Sequence, residues 1–395
     1  MVDDDPREAT RPAQPPRTTL AALDDWLSGQ GVRTEVGGDP AVEVTGVSLS
    51  SQRIRPGDLY AALPGARAHG IDFVADAFAA GAVAVLTDPR GRDRTPDGVP
   101  VLVVDDPRRE LGHLSAVVYG EPATGLRMIG VTGTQGKTTT TRLAETGLLA
   151  AGIPAAVIGT IGTRIAGADV KTALTTPEAP DLQGLLALML ERGVVACAME
   201  VSSHALVLGR VDGVVFDVAV FTNLGRDHLD FHDDVEDYYR AKALLFTPER
   251  TRQALVNVDD EHGRRLAAEA TVPVHTFAVH DPGADWRAVD VELTAAGSSF
   301  TVLGPGGLRV RAGCPLPGGF NVANALAAVA MCAESGFDAR AVATGIVSGA
   351  GVPGRLERVD AGPARPRRTR CRWPPPGRRS RSRRTSPRPR VRWRR

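Results

Sequence analysis

The segment Ile129-Gly130-Val131-Thr132-Gly133-Thr134-Gln135-Gly136-Lys137-Thr138-Thr139 reads as an apolar strand, a glycine turn and the opening of a helix. That context suits a phosphate-binding loop: glycines let backbone N–H groups close on an anion, and a helix N-terminus adds positive potential. Lys137 is placed to reach the β- and γ-phosphates of a nucleotide, and Thr138 offers a hydroxyl to Mg²⁺. Val131 stands where the first glycine of the longer G-x-x-x-x-G-K-[ST] pattern belongs, so the match is to the shorter G-x-x-G-K-T. The competing reading is a structural glycine turn.

Further along, Met199-Glu200-Val201-Ser202-Ser203-His204 closes an apolar run with a carboxylate and hydroxyls. A second apolar run, Val218–Phe221, ends in Thr222-Asn223-Leu224-Gly225-Arg226-Asp227-His228-Leu229-Asp230, a dense polar stretch. Mg²⁺ favours oxygen ligands, which makes Thr138 and Glu200 natural partners; His228 is a less usual one that suits Mn²⁺ as well. Glu200 could equally form an ordinary ion pair. Lys242 sits among Ala241, Ala243, Leu244, Leu245 and Phe246, where it is either a surface cation or a buried amine able to lose its proton. Asn321 and Asn324 open an Ala-rich helix and could face a base or ribose, although Asn321 also fits an N-cap. Arg355 falls in the Gly351–Glu357 loop.

The elements that must position these groups are predicted from periodicity. From 20 to 122 the chain reads as a small α/β unit, with a helix at 20–29, a β segment at 42–49, Leu59–Leu63, a helix at 73–80 and strands at 82–86 and 99–104. From 123 to 357 strands alternate with helices: strands at 127–131, 155–158, 194–201, 215–221 and 254–258, and helices at 139–150, 181–192 and 235–246. A β-rich stretch at 289–310 and helices at 321–334 and 339–347 follow. Such alternation implies a parallel sheet covered on both faces, with ligands beyond the carboxyl ends of its strands.

The 395 residues include 47 basic and 46 acidic side chains, but 361–395 hold 15 Arg and no acid, which leaves the remainder at 32 basic against 46 acidic. An acidic body argues against a nucleic-acid-coating surface. The acidic, proline-rich residues 1–19 are expected to be a disordered leader, neither signal peptide nor membrane span. Residues 358–395 are expected to be disordered too, best explained as a frame-shifted reading of a GC-rich gene. Four cysteines without metal-ligand spacing fit a reducing cytoplasm. Only Lys137, Lys171 and Lys242 occur beside 44 arginines, so each retained lysine draws notice.

Together these segments resemble the Mur ligases. G-T-Q-G-K-T-T at 133–139, M-E-V-S-S-H-A-L at 199–206, F-T-N-L-G-R-D-H-L-D-F-H at 221–232, Y-Y-R-A-K-A-L-L-F at 238–246 and G-V-P-G-R-L-E at 351–357 follow the family's motifs in order and spacing. Gln135 stands where the family usually has Asn. Residues 48–70 are similar to the uridine-nucleotide domain of the branch that adds the third residue to the peptidoglycan stem peptide.

The resemblance implies a small N-terminal α/β domain that binds UDP-sugar, followed by a P-loop-type parallel-sheet ATPase domain. It also implies that Leu49, Ser51, Ala66, Arg67 and Ala68 contact the UDP-sugar, and that Thr175, Thr176, Ser202 and Arg210 hold the muramoyl-dipeptide. Gly133, Thr134, Gln135, Gly136, Lys137, Thr138 and Thr139 would bind ATP, with Asn321 and Asn324 on its adenine side and Arg355 on its phosphates. Thr138, Glu200 and His228 would hold Mg²⁺, Lys137, His228 and Lys242 would be catalytic, and Lys242 would be carbamylated. The implied partners are UDP-N-acetylmuramoyl-dipeptide and a diamino acid, meso-diaminopimelate or L-lysine, with no nucleic acid and no membrane insertion. The family pattern stops near Val359-Asp360, where the resemblance implies that a C-terminal Rossmann-like domain, which takes the incoming amino acid, should begin; that domain is expected to be missing or frame-shifted here. Three further readings compete: a non-catalytic nucleotide-binding remnant, a folylpolyglutamate synthetase-like ligase, and an RNA-binding ATPase with a basic tail.

Overall fold

The computed structural model describes residues 10–227, 231–349 and 351–356. His228 and the 358–395 segment lie outside the described residues. Chain contacts gather residues up to Glu357 into one compact unit, and within it two main sheets carry separate cores.

The N-terminal part runs β1 (Thr18–Thr19), α1 (Leu20–Gly29), β2 (Thr34–Gly37), β3 (Glu43–Val44), β4 (Gly46–Ser48), β5 (Asp58–Ala61), α2 (Val74–Ala79), β6 (Ala84–Thr87), α3 (Pro89–Arg92), β7 (Val101–Val104) and α4 (Pro107–Val118). Its five-stranded sheet has the order β2-β7-β6-β5-β4, with β4 to β7 parallel and β2 antiparallel at one edge. Period-two alternation splits β5 between two cores: Leu59 and Ala61 face α1 and α4, while Tyr60 faces α2. Thr19 starts α1 by accepting the Ala22 N–H, and Leu20, Leu23 and Leu27 form its buried stripe. Because β4, β5 and β6 are parallel, the loops after them emerge at one edge, and that edge brings Leu49 and Ser51 near the 63–70 loop.

The larger part runs β8 (Arg127–Thr132), α5 (Lys137–Ala150), β9 (Ala155–Ile158), β10 (Thr163–Ile165), β11 (Ala168–Val170), α6 (Ala179–Glu191), β12 (Ala196–Glu200), α7 (Ser203–Val207), β13 (Val218–Phe221), α8 (Val235–Ala243), β14 (Ala254–Asn257), α9 (Glu261–Glu269), β15 (Val274–Ala278), β16 (Trp286–Thr294), β17 (Gly297–Gly304), β18 (Leu308–Cys314), α10 (Phe320–Glu334) and α11 (Ala339–Ser348). Its eleven strands run in the order β11-β10-β9-β12-β8-β13-β14-β15-β16-β17-β18. From β9 to β16 neighbouring strands are parallel, and antiparallel hairpins close both edges. Both faces are covered, so β12 and β13 are buried at every position. Ile129 and Val131 of β8 pack with α5, α10 and α11, and Met128 packs with α6 on the other face.

Several expectations need correction. The β segment expected at 42–49 is two short strands, β3 and β4, in different sheets. Helix α4 was not expected, although Asp106 accepts the Arg108 and Arg109 N–H groups and Pro107 occupies the first turn, a readable start signal. The β10–β11 hairpin, α9 and β15 were also missed. The disordered leader does not hold for residues 10–19. Arg11 is buried, its Nη1 donating to both Asp58 oxygens at 2.7 and 2.8 Å and its Nη2 to the Val47 carbonyl at 2.9 Å. Among the described residues no helix is long and apolar enough to cross a membrane.

Candidate functional site

The parallel register of β9, β12, β8, β13 and β14 brings five loops to one sheet edge. At its centre the loop 133–136 joins β8 to α5. Gly133 and Gly136 have φ of 142° and 89°, and neither position has room for a side chain. A Cβ on Gly133 would meet Thr222 Oγ1 at 2.0 Å, and one on Gly136 would meet Asn324 Oδ1 at 2.4 Å. The chain after β13 braces the loop: Thr222 Oγ1 donates to the Gln135 carbonyl at 2.7 Å, and the Gln135 N–H donates to Asn223 Oδ1 at 2.9 Å. Asn257, ending β14, donates to the Thr222 carbonyl at 2.8 Å. No side chain caps α5, which leaves its first amides to an anion.

Lys137 folds over its own loop, donating to the carbonyls of Gly133 at 2.7 Å and Thr134 at 3.0 Å. Lys242, buried on α8, donates to that same Gly133 carbonyl at 3.1 Å and lies 4.4 Å from the centre of the Tyr238 ring. Burial pushes both ammonium groups below the ordinary lysine value; for Lys242 the shift is large, and the neighbouring Lys137 charge adds to it. Glu200 and Asp227 pull Lys137 back upward. The buried reading of Lys242 therefore holds over the surface cation.

Glu200 ends β12, buried, with both oxygens held by one residue. The Thr160 N–H donates to Oε1 at 2.8 Å and the Thr160 hydroxyl to Oε2 at 3.0 Å. A Cβ on Gly159 would lie 2.2 Å from Oε1, so only glycine admits the carboxylate there. Thr160 Oγ1 is also 3.3 Å from Thr175 Oγ1. Thr176 Oγ1 donates to the Glu200 carbonyl at 2.8 Å and accepts the Ser202 N–H at 3.2 Å. Ser202 also caps α7. Arg210 reaches the same neighbourhood through Glu178, which it meets at 2.8 Å opposite Arg108. Thr138 Oγ1 accepts from Arg355 Nη2 at 3.3 Å, so Arg355 lies at the first turn of α5, beside the 133–136 loop. Thr134 and Gly136 flank the turn, and Thr139 is buried in the first turn of α5.

The two asparagines of α10 divide. Asn324 lines a cavity of about 860 Å³ beside Gln135 and Gly136, walled by Phe277, Val279 and Phe320. Asn321 does not line it. Its amide donates to the Pro317 carbonyl and its oxygen accepts from Asn324, so it holds Asn324 in place. Asn321 is not the N-cap of α10 either; that place is taken by Gly319.

On the smaller sheet, the Gly70 N–H donates to the Leu63 carbonyl at 2.8 Å and closes a loop that leaves Ala66, Arg67 and Ala68 exposed. His69 anchors the loop by accepting the Ile71 N–H on Nδ1 and pairing with Asp88 through Nε2 at 2.8 Å. Leu49 and Ser51 are half-buried after β4.

Sequence reading missed Thr160, Asn257 and the brace from Thr222 and Asn223. A Gly-Thr pair directly after the β9 strand was the available signal for Thr160. Among the described residues no three His, Cys, Asp or Glu side chains gather as a metal cage. A divalent cation here would rely on Thr138, Glu200 and oxygens of a bound anion, which suits a hard cation that keeps waters.

A family model described as Mur ligase middle domain matches residues 131–332, and one described as Mur ligase family, catalytic domain matches 43–119. A Streptomyces coelicolor protein named UDP-N-acetylmuramoyl-L-alanyl-D-glutamate–2,6-diaminopimelate ligase is 56% identical over 354 residues, covering 89% of this chain and 69% of that protein. A Corynebacterium glutamicum protein of the same name is 46% identical, over 85% of this chain and 66% of that protein. A solved structure of a ligase with that name superposes with a TM-score of 0.69 at 32% identity, covering 80% of this chain and 65% of that one.

Proposed function

Because this chain belongs to the Mur ligase family, we propose that it binds ATP with Mg²⁺ and UDP-N-acetylmuramoyl-L-alanyl-D-glutamate, and serves the ligation of 2,6-diaminopimelate to that dipeptide. It spans about two thirds of the length of the relatives it matches, so the complete reaction is part of the proposal. One observation carries the reading: the braced 133–136 loop, two lysines on the Gly133 carbonyl and the buried Glu200 stand at one sheet edge, next to Thr175, Thr176 and Ser202.

In this reading the amides of the loop and α5 cradle the β- and γ-phosphates, and Lys137 leaves its two carbonyls to meet them. Asn324 and the apolar walls of the 860 Å³ cavity receive the adenosine. The dipeptide carboxylate attacks the γ-phosphorus in line, the bond to the β-phosphate oxygen breaks, and ADP leaves an acyl phosphate. The amine of the diamino acid then attacks the acyl carbon, losing a proton and expelling phosphate. Thr138 and Glu200 would hold Mg²⁺, which when bound would supply charge neutralisation for phosphoryl transfer. Arg355 adds a fixed cation beside Thr138. The neutral amine of Lys242 would add to CO₂, forming an N–C bond and losing a proton, and the resulting carbamate would place an anion beside Lys137. A reducing, cytoplasmic setting accords with Cys197, Cys314 and Cys332, which are buried free thiols.

Titration calorimetry of the full chain tests the reading. Micromolar binding of both the UDP-muramoyl-dipeptide and a non-hydrolysable ATP analogue is expected. ADP release that needs diaminopimelate as well marks a ligase, binding without release marks a nucleotide-binding remnant, and failure to bind either ligand sinks the reading. Thr160→Val should weaken Mn²⁺ binding, followed by electron paramagnetic resonance with the ATP analogue present, by about tenfold, since one charge-assisted hydrogen bond is worth roughly 1.5 kcal/mol. Thr160→Ser should retain it.

A further inference from the structure

We propose that Arg11 is a positioning residue that bolts the UDP-sugar side of the molecule to the muramoyl-dipeptide side and so sets the span of the substrate site; this rests on the function proposed above. Its guanidinium belongs to the smaller sheet, through Asp58 at the head of β5 and the Val47 carbonyl of β4. Its aliphatic stem belongs to the larger part. A Cβ on Gly184, in the middle of α6, would lie 3.1 Å from Arg11 Cγ and 3.3 Å from the Thr10 carbonyl oxygen. On the opposite wall a Cβ on Gly46 would lie 2.4 Å from Asp58 Oδ1 and 2.9 Å from Arg11 Nη1. A glycine of strand β4 and a glycine of helix α6 thus form the slot that Arg11 fills. Two residues on, the Ala13 N–H donates to Glu191 at the far end of α6.

Both anchored elements lead straight into the site. Strand β4 runs into Leu49 and Ser51, and α6 starts three residues after Thr176. Asp58 also accepts the Arg55 N–H at 2.9 Å, which shapes the turn between β4 and β5. A second bridge, Arg53 to Asp181, spans the same gap but is largely in solvent, where such pairs contribute little. The Arg11–Asp58 pair is dry, and removing one partner strands a buried charge.

A ligand that occupies one side needs only that side; a ligand that spans both needs the distance held. Calorimetry with UDP and with UDP-N-acetylmuramoyl-L-alanyl-D-glutamate on the full chain separates the two. Arg11→Met and Gly184→Val should each weaken the spanning ligand at least tenfold while UDP stays within twofold, and Arg11→Lys should recover part of the loss. Gly184→Val keeps Asp58 paired, so it remains informative if Arg11→Met fails to fold. Equal losses for both ligands, or none, overturn the proposal. If the unsubstituted chain binds no UDP-muramoyl-dipeptide, the functional reading fails, and the bolt is then judged without ligand. Spin labels at Phe73→Cys and Val195→Cys, both exposed sites, in a Cys371→Ser background report the distance between the sheets by pulsed electron resonance. The distribution should broaden in Arg11→Met and Gly184→Val, and an unchanged distribution overturns the bolt.

Discussion

Replacing Lys137 by Met is expected to lower affinity for the ATP analogue by about 100-fold while binding of UDP-muramoyl-dipeptide stays within twofold. Without nucleotide, the Lys137 ammonium is spent on the carbonyls of Gly133 and Thr134, neutral acceptors within its own loop. The ammonium already makes charge-assisted bonds to those carbonyls, but phosphate oxygens carry the opposite charge and move each bond toward the upper end of the range of about 1.5–3 kcal/mol. Exchanging two ammonium–carbonyl bonds for two ammonium–phosphate bonds yields on the order of 2–3 kcal/mol, about two decades of affinity. The fold should survive, because the loop is braced from Thr222 and Asn223 independently of the lysine. Burial lowers the Lys137 ammonium below its ordinary value, so nucleotide affinity should fall as pH rises through that lowered value, and the Met variant should show no such slope. Calorimetry across pH 7 to 10 checks both statements. A loss that is equal for the two ligands would assign Lys137 to folding rather than to phosphate.

Replacing Lys242 by Met should have two opposite effects. Turnover, where the chain turns over, should drop by about 100-fold or more, the cost of removing one preorganised charge from a phosphoryl-transfer site. Stability at neutral pH should rise. The native amine sits in an apolar slot beside Tyr238 and the Lys137 charge, which holds it well below the ordinary lysine value of 10.5, whereas the unfolded chain carries an ordinary lysine. Between those two values the unfolded state binds a proton that the native state excludes, so stability climbs with pH up to about 10.5 and declines as pH falls. The Met variant loses that slope. Thermal melts of both proteins in CO₂-free buffer from pH 6.5 to 9.5 should therefore converge at the alkaline end, with the variant higher at the acid end. In ¹³C-bicarbonate, the unsubstituted chain should show a carbamate carbonyl signal that the variant lacks. Parallel melts together with no carbamate signal would count against a modified lysine.

How far the sequence could be read follows from the range of each interaction. Gly133, Gly136 and Lys137 were legible because backbone freedom, a helix start and a compact cation are local properties. The parallel sheet was legible from strands alternating with helices, and its direction alone brings Glu200 and Thr222 to the edge that holds the loop. Lys242 was half-legible: its neighbours were visible, but the face it turned was not.

What tertiary structure alone decided lies between residues far apart in the chain. Asn321 and Asn324 are three apart on one helix and equivalent in sequence, yet only Asn324 reaches the cavity, because Pro317 claims the other amide. Thr160 gains a role from a carboxylate forty residues away. Arg11 lies in a stretch whose acids and prolines favour an unfolded chain, and it is ordered by Asp58, 47 residues on, together with a glycine of strand β4 and a glycine of helix α6. Composition and periodicity report what a segment does against its neighbours and water; a buried ion pair depends on where two sheets meet. The chain's own letters therefore determined the glycine loop between strand and helix, the parallel core and the family, and packing decided which polar groups lost their water and so had to find one another.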